Sequence, residues 1–583
     1  MKKTISLIFA GLLAFTTFGV AGCDDGADEG KIVLNISAHD DALGGKWMDD
    51  LFNRFEKSVA DKSYLGGKTG VAVKKNSYMN GLSTIRTDGN AIYFRNRDNS
   101  VASYVRNGEF LDITSMVTEK NETRSGEQIS IADKIPEGSR STYMVEDKYY
   151  ALPDAEFYAS ITYDKDVFDE KGLYFAQPGA SGRPHYSAIC DTDYTFINVG
   201  DDSSKSCGPD GELGTSDDGL PTTLFELAAL CDYMKNIHSV SPFAMAYNSS
   251  IQEYCNFFLD ALMASLQGSE AATMNSLQSD GFDVVVGFTD ENLFPGHNGI
   301  KKPIVKTIPI TEETGYYTTW SADRYYAEAF VELVDKQGWW CTDTASVNSN
   351  HHKAQDNLIY SNFGTNESVG MLVESTYWYN EADSRSTFDY FFMEFNYVDE
   401  RNLVPMSLPV SLNETVAQGQ GEIPTYLCTS RSYVCVNANI SENEGLVEAV
   451  KDFLQFIYSD GELSRCTAEQ GLPRNMNYTI QEADKVRFSS YGAEVWSLFE
   501  KANIVRFEGN SATFKDNAAL FYRGFEDGAF SIPGYQCCYP AIANGKTSKQ
   551  CFEEGMKTKD QWKSVYYRGS GEVGDYEGIT YGG

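Results

Sequence analysis

Asp147-Lys-Tyr-Tyr-Ala-Leu-Pro153 and, a few residues on, Ile161-Thr-Tyr-Asp-Lys-Asp-Val-Phe-Asp-Glu-Lys-Gly-Leu173 decide how this chain is read. Glu146-Asp147-Lys148 has the composition of a hairpin turn, and Ala159–Tyr163 reads as a strand. Upstream, Lys31-Ile-Val-Leu-Asn-Ile-Ser37 reads as a buried strand. It enters the loop His39–Gly45 and then a helix with Trp47, Leu51, Phe52 and Phe55 on one face. Ala91-Ile-Tyr-Phe94 is a second short strand, followed by the polar loop Arg95–Asn99, a helix and Phe110–Thr114. Downstream, Thr223 and Glu226 form a capping-box pattern for a helix carrying Leu227, Leu230 and Met234. Phe282–Phe288 and Val369–Glu374 read as strands. Helices are predicted at 321–337, closed by Gly338, and at 442–458, opened by Ser441 and Glu444. Strands alternating with helices over the whole length predict an α/β fold. The Gly-rich tail after Gly569 is expected to be mobile.

The N-terminus has the character of an export signal. Lys2 and Lys3 precede the apolar run Ile5–Val20, which is short for a bilayer span. The run ends in Val20-Ala21-Gly22-Cys23, and Asp24, Asp25 and Asp28 follow. Small residues before this Cys resemble the bacterial lipobox. That resemblance implies cleavage before Cys23, diacylglycerol on its thiol, and a protein held outside the cytoplasmic membrane by lipid. Residues 23–30 would be the tether.

The mature chain of 561 residues is long enough for large cores, and 42% hydrophobic residues make it globular. A net charge of −35 argues against nucleic acid and anionic surfaces as partners. The 36 Tyr, 34 Phe and 7 Trp are mostly core residues, but such rings are also the flat faces on which sugars stack.

Twelve cysteines in an exported chain permit disulfides. Closeness in sequence favours Cys190 with Cys207, Cys428 with Cys435, and Cys537 or Cys538 with Cys551; connectivity stays open. Residues 180–222 are rich in Asp, Gly and Ser. Asp191, Asp193, Asp210, Glu212, Asp217 and Asp218 offer the oxygen donors that a structural calcium ion takes, without the spacing of an EF-hand. A solvated acidic loop is the alternative.

Taken in order, these motifs resemble the family 1 extracellular solute-binding proteins of ABC importers, of the maltose-binding-protein type. The matching segments are 31–57, DGNAIYFRNRD (88–98), YVRNGEFLDIT (104–114), DKYYALP (147–153), ITYDKDVFDEKGL (161–173), VGMLVESTYWYN (369–380), LVPMSLPV (403–410), the segment 439–459 and GLPRN (471–475). Each is weak alone; their order over 31 to about 555 carries the resemblance. The excess length sits in 180–222, in 265–320 and in the Cys-rich C-terminus.

The resemblance implies two α/β lobes joined by crossing strands, with a ligand cleft between them. Lobe one would comprise 31–152 and 405–465, and lobe two 153–404 and 466–583. Closure about a hinge would bury a neutral carbohydrate, most simply an oligosaccharide, for delivery to the permease by a monomeric receptor. It places the ligand-binding candidates His39, Asp40 and Asp41 after the first strand. Arg95, Asn96 and Asp98 follow the second, and Asp154, Glu156 and Tyr158 the first crossing. Glu374, Tyr377 and Trp378 follow the strand at 369, and Tyr535 is a late aromatic. Short acids, amides and Arg suit sugar hydroxyls, which both donate and accept.

The sequence offers little for catalysis. No HExxH or GxSxG is present, and Gly545-Lys546-Thr547 lacks the earlier glycine of a P-loop, having Pro540 instead. His351 and His352 are adjacent, and neighbours in sequence do not share a helix face, so no two-His metal site is expected there. A surface glycan-binding lipoprotein without a transporter and a secreted carbohydrate-active enzyme remain the alternatives.

Overall fold

Ala151–Asp164 is extended for fourteen residues, and every one of them is buried. A strand with one wet face would alternate, so this strand is covered on both sides. It is the spine of the molecule. The computed structural model describes residues 28–38, 45–77, 85, 89–96, 101–121, 126–267, 279–311, 313–397, 400–412, 421, 423–506, 538–565 and 571–582. Cys23, His39, Asp40, Asp41, Asp98 and Tyr535 lie outside these, and Asn96 is described by its backbone alone.

Nine strands of the described residues form the central sheet. They are β1 (Ile32–Ala38), β2 (Val71–Ser77), β3 (Ile92–Asn96), β4 (Ala151–Asp164), β5 (Ser241–Ala244), β6 (Val369–Ser375), β7 (Leu403–Pro405), β8 (Thr425–Val436) and β9 (Asn503–Val505). The order is β5-β6-β4-β8-β3-β1-β2, with β7 added to β4 and β9 to β8. β1 is parallel to β2 and β3, and β5 to β6. β4 and β8 run antiparallel to each other, β4 antiparallel to β6 and β7, and β8 antiparallel to β3 but parallel to β9. The fold is therefore mixed α/β: two mostly parallel flanks share two long antiparallel strands.

Each flank has its own core. The first collects residues of β1, β3 and helix α1 (Lys46–Ser58) with Ala151, Leu152 and Val434. It also takes helices α6 (Glu444–Ile457) and α7 (Asp460–Gln470), through Phe453, Leu463 and Cys466. The second gathers Ala159, Ile161 and Tyr163 of β4, helices α2 (Leu224–His238) and α3 (Ala322–Lys336), and Met406 and Leu408. These are the two lobes that the resemblance implies, with β4 passing from one to the other. The return passage is β8, at 425–436, instead of a crossing at 405. Residues 463–476 accordingly pack with lobe one.

Local signals explain most elements. Thr223 and Glu226 make both bonds of the capping box of α2. Ser321 caps α3 by accepting from the Arg324 N–H. At α6 the cap is Asn443, which accepts from Leu446 N–H, and not Ser441. Asn443, two residues later and directly before the first helical residue, caps because its side-chain oxygen reaches the orphan amide of Leu446.

The insertion 180–222 is not a detached loop. Its hairpin Arg183–Ser187/Thr192–Phe196 packs on α2, where Phe196 stacks on Tyr233 at 3.9 Å and 7°. The tail is ordered too. Val573 and Ile579 join the core of the hairpin Ser279–Asn292/Lys301–Ile310, so the expected mobility gives way to apolar docking. Cys428 and Cys435 lie on the same strand, opposite Tyr158 and Ala151. Seven extended residues span about 23 Å, far beyond disulfide reach, so they are not bonded to each other. The Cys190 thiol donates to the Phe225 carbonyl, 3.4 Å away. No described helix is long and apolar enough to cross a membrane.

Candidate ligand site at the strand crossing

Asp154, Glu156 and Tyr158 alternate along β4 and therefore face the same way. They lie where the chain leaves one core for the other. Asp154 accepts from Ser432 Oγ of β8 at 2.7 Å, and Arg474 Nη2 stands 3.4 Å away. Glu156 is gripped by Arg506, whose Nε lies 2.9 Å from both carboxylate oxygens. Tyr158 donates its hydroxyl to Glu156 at 3.3 Å. All three β4 side chains are buried.

The opposite face of β4 is apolar. Tyr377, at the end of β6, meets Phe157 edge-on at 5.4 Å beside Ala155 and Leu472. The loop Gly471–Asn475 lies along this crossing: Glu156 N–H donates to Pro473 O, and Ala155 bridges Arg474. Gly471 ends α7 at φ +72°, and a Cβ there would come within 2.9 Å of Gly492 Cα. The Arg474 guanidinium also lies over the Trp47 ring at 5.5 Å and donates to Thr467 Oγ1.

Electrostatically the cluster is balanced. Burial is the largest single effect and works against the charges of Arg474 and Arg506, but Asp154 with its neighbours Cys466, Tyr478 and Tyr458, and Glu156 with Tyr158 and Cys428, together hold the two guanidinium groups above their ordinary range. Burial, then Glu156, pushes the Tyr158 hydroxyl well up, so it stays a protonated donor. Two acids, two guanidinium groups and neutral hydroxyls offer matched donors and acceptors with no surplus charge.

The other expected residues are dispersed. Arg95 is buried in lobe one over the Tyr104 ring, 5.4 Å away. Glu374 is fully enclosed, with Oε2 accepting from Ser375 N–H. Trp378 is also fully enclosed. Its indole N–H is spent on Thr162 Oγ1 at 3.0 Å, and its ring meets Tyr491 edge-on. It is a core residue of lobe two. Ser432, Arg474 and Arg506 were not expected. Arg474 lay inside the quoted GLPRN segment; nothing in the sequence marks Arg506.

The acidic residues fold back on their own loop. Asp210 accepts from Glu212 N–H, Asp218 from Gly214 N–H, and Asp217 from Thr215 Oγ1 and Asp210 N–H. Burial, with Asp210 nearby, raises the Asp217 carboxyl to about 6. Asp191 and Asp193 are exposed on the neighbouring hairpin, where Asp191 accepts from Tyr186. The loop closes one side of a cavity of about 410 Å³, lined across from it by Pro405, Tyr426, Glu494 and Lys501.

No family model and no curated protein matches this chain. Among solved structures, a chitin oligosaccharide binding protein is similar at 14% identity and a TM-score of 0.48, over 91% of this chain and 99% of that one. RafE from Streptococcus pneumoniae, without ligand, is similar at 10% identity and a TM-score of 0.47, over 91% and 99%. Maltose-bound MalE3 of T. maritima is similar at 11% identity and a TM-score of 0.47, over 92% and 100%.

Proposed function

We propose that this chain is a solute receptor that binds a neutral carbohydrate between its lobes and passes it to the permease of an ABC importer. The observation that carries this reading is the pair of crossing strands. β4 and β8 are two of three main-chain links between separately packed cores, the third running from Met476 to Tyr491, and the polar cluster of Asp154, Glu156, Arg474 and Arg506 sits at this crossing. A ligand held there touches the hinge itself, so binding and closure are coupled. The balanced charges favour hydroxyls over ionic groups.

In this reading the chain works outside the cytoplasmic membrane, tethered through lipidated Cys23, and binds without turnover. The test is a panel of mono- and oligosaccharides against purified residues 24–583. Calorimetry and small-angle scattering are read together. One glycan class that binds and compacts the protein supports the receptor. Binding without compaction favours a glycan-binding lipoprotein with no transporter, and product formation an enzyme. No binding by any glycan overturns the carbohydrate assignment.

A further inference from the structure

The two adjacent histidines do something the sequence argued against. His351 and His352 open helix α4 (His351–Ile359), and their rings pack 4.1 Å apart at 67°. Both turn their Nε2 atoms to one carboxylate oxygen of Glu381, on helix α5 (Trp378–Ser384). The separations are 3.5 Å from His351 and 3.8 Å from His352. The three donor atoms all lie within 4.8 Å of one another. Adjacent helical residues point about 100° apart, but a carboxylate on a second helix fits between two long imidazoles.

We infer that His351, His352 and Glu381 form a binding site for a divalent metal of the zinc class, with a fourth position open to water. The donor set is two imidazole nitrogens and one carboxylate oxygen, which suits zinc and not calcium. Zinc bonds of 2.0–2.1 Å in tetrahedral geometry need donors about 3.3 Å apart, so the two His–Glu separations are within about half an ångström of it. Half-buried side chains leave an entry path.

The surroundings hold the carboxylate in place. Gln355 Nε2 donates to Glu381 Oε2 at 2.6 Å, leaving Oε1 toward the histidines. The nearby Arg385 guanidinium is engaged by Gln355 Oε1 and Asp356 Oδ1, at 3.0 and 3.2 Å. Tyr254 lies nearly parallel to the His351 ring, at 6.2 Å and 13°. Such outer partners orient ligands and tune metal affinity. A metal here would fasten α4 to α5, the helix that continues from β6 past Tyr377.

The test uses untagged chain stripped of metal and titrated with zinc chloride by calorimetry. One zinc per chain is expected, with a higher thermal midpoint and, on cobalt substitution, the intense visible bands of a four-coordinate site. Glu381→Gln, which keeps the shape and the Gln355 contact, should weaken zinc by more than tenfold. Gln355→Ala should weaken it about tenfold. The pair His351→Ala/His352→Ala should abolish both binding and the midpoint shift, while His297→Ala leaves them unchanged. A hundredfold excess of calcium should not displace the zinc. Unchanged zinc affinity in the double-histidine variant, or no zinc uptake by the intact chain, overturns the site.

Discussion

Arg506 holds both oxygens of Glu156 through Nε at 2.9 Å, with Nη2 also 2.9 Å from Oε2, while Glu156 is almost completely enclosed. A buried carboxylate that loses its partner keeps its desolvation cost without compensation. Arg506→Met should therefore destabilise the protein by about 3 kcal/mol in urea unfolding. Removing the charge as well, in Arg506→Met with Glu156→Gln, should recover more than half of that. Equal losses in the single and double variants would show that the arginine acts by packing alone.

The structure makes Trp378 a core residue. Trp378→Phe deletes the indole donor to Thr162 and leaves a gap beside Tyr491. A loss of about 1–3 kcal/mol is expected, from one buried hydrogen bond and a small cavity. Affinity for any sugar found in the panel should change less than threefold. A large affinity loss with unchanged stability would return Trp378 to the ligand site.

The two-lobed α/β plan was legible because its signals are local and redundant. The hairpin turn at Glu146–Lys148, the strand at 159–163 and the capping box at Thr223 each depend on neighbours in sequence. The site was only partly legible. Asp154, Glu156 and Tyr158 could be placed together, since alternation along a strand gives a common face. Their partners Arg474 and Arg506 arrive from segments more than three hundred residues away, and nothing local marks them. Trp378 misled because an aromatic next to a predicted cleft strand looks the same in sequence whether it turns out or in. The faces of one helix do not show how His351 and His352 come together, because the third donor, Glu381, comes from another helix.

Asp164 makes the stability of the protein depend on pH. Burial raises its carboxyl to about 6 even though Arg401 lies against it. The unfolded value is about 3.9. The folded state thus binds more protons between these values. This group's contribution is greatest below about pH 4 and declines as pH rises through about 6, by about 3 kcal/mol. Asp164→Asn should flatten the fall in unfolding free energy over that range. A slope identical to that of the parent would exclude Asp164 as its source.

The C-terminal tail closes the long hairpin of lobe two. Val573 and Ile579 are buried against Val284, Val286, Ile308 and Trp320. Gly582 N–H donates to Val286 O at 2.7 Å, Gly574 N–H to Glu313 O at 3.0 Å, and Tyr316 to Asp575 at 2.5 Å. The tail thus covers apolar hairpin residues that would otherwise face water. Val573→Ala should cost about 2 kcal/mol through lost burial and the cavity left behind. Ending the chain at Ser570 should expose the hairpin to limited proteolysis between Ser279 and Ile310. Lobe one packs separately, so its unfolding midpoint should stay where it was. A truncated chain as protease-resistant as the full one would mean that the hairpin core stands without its cover.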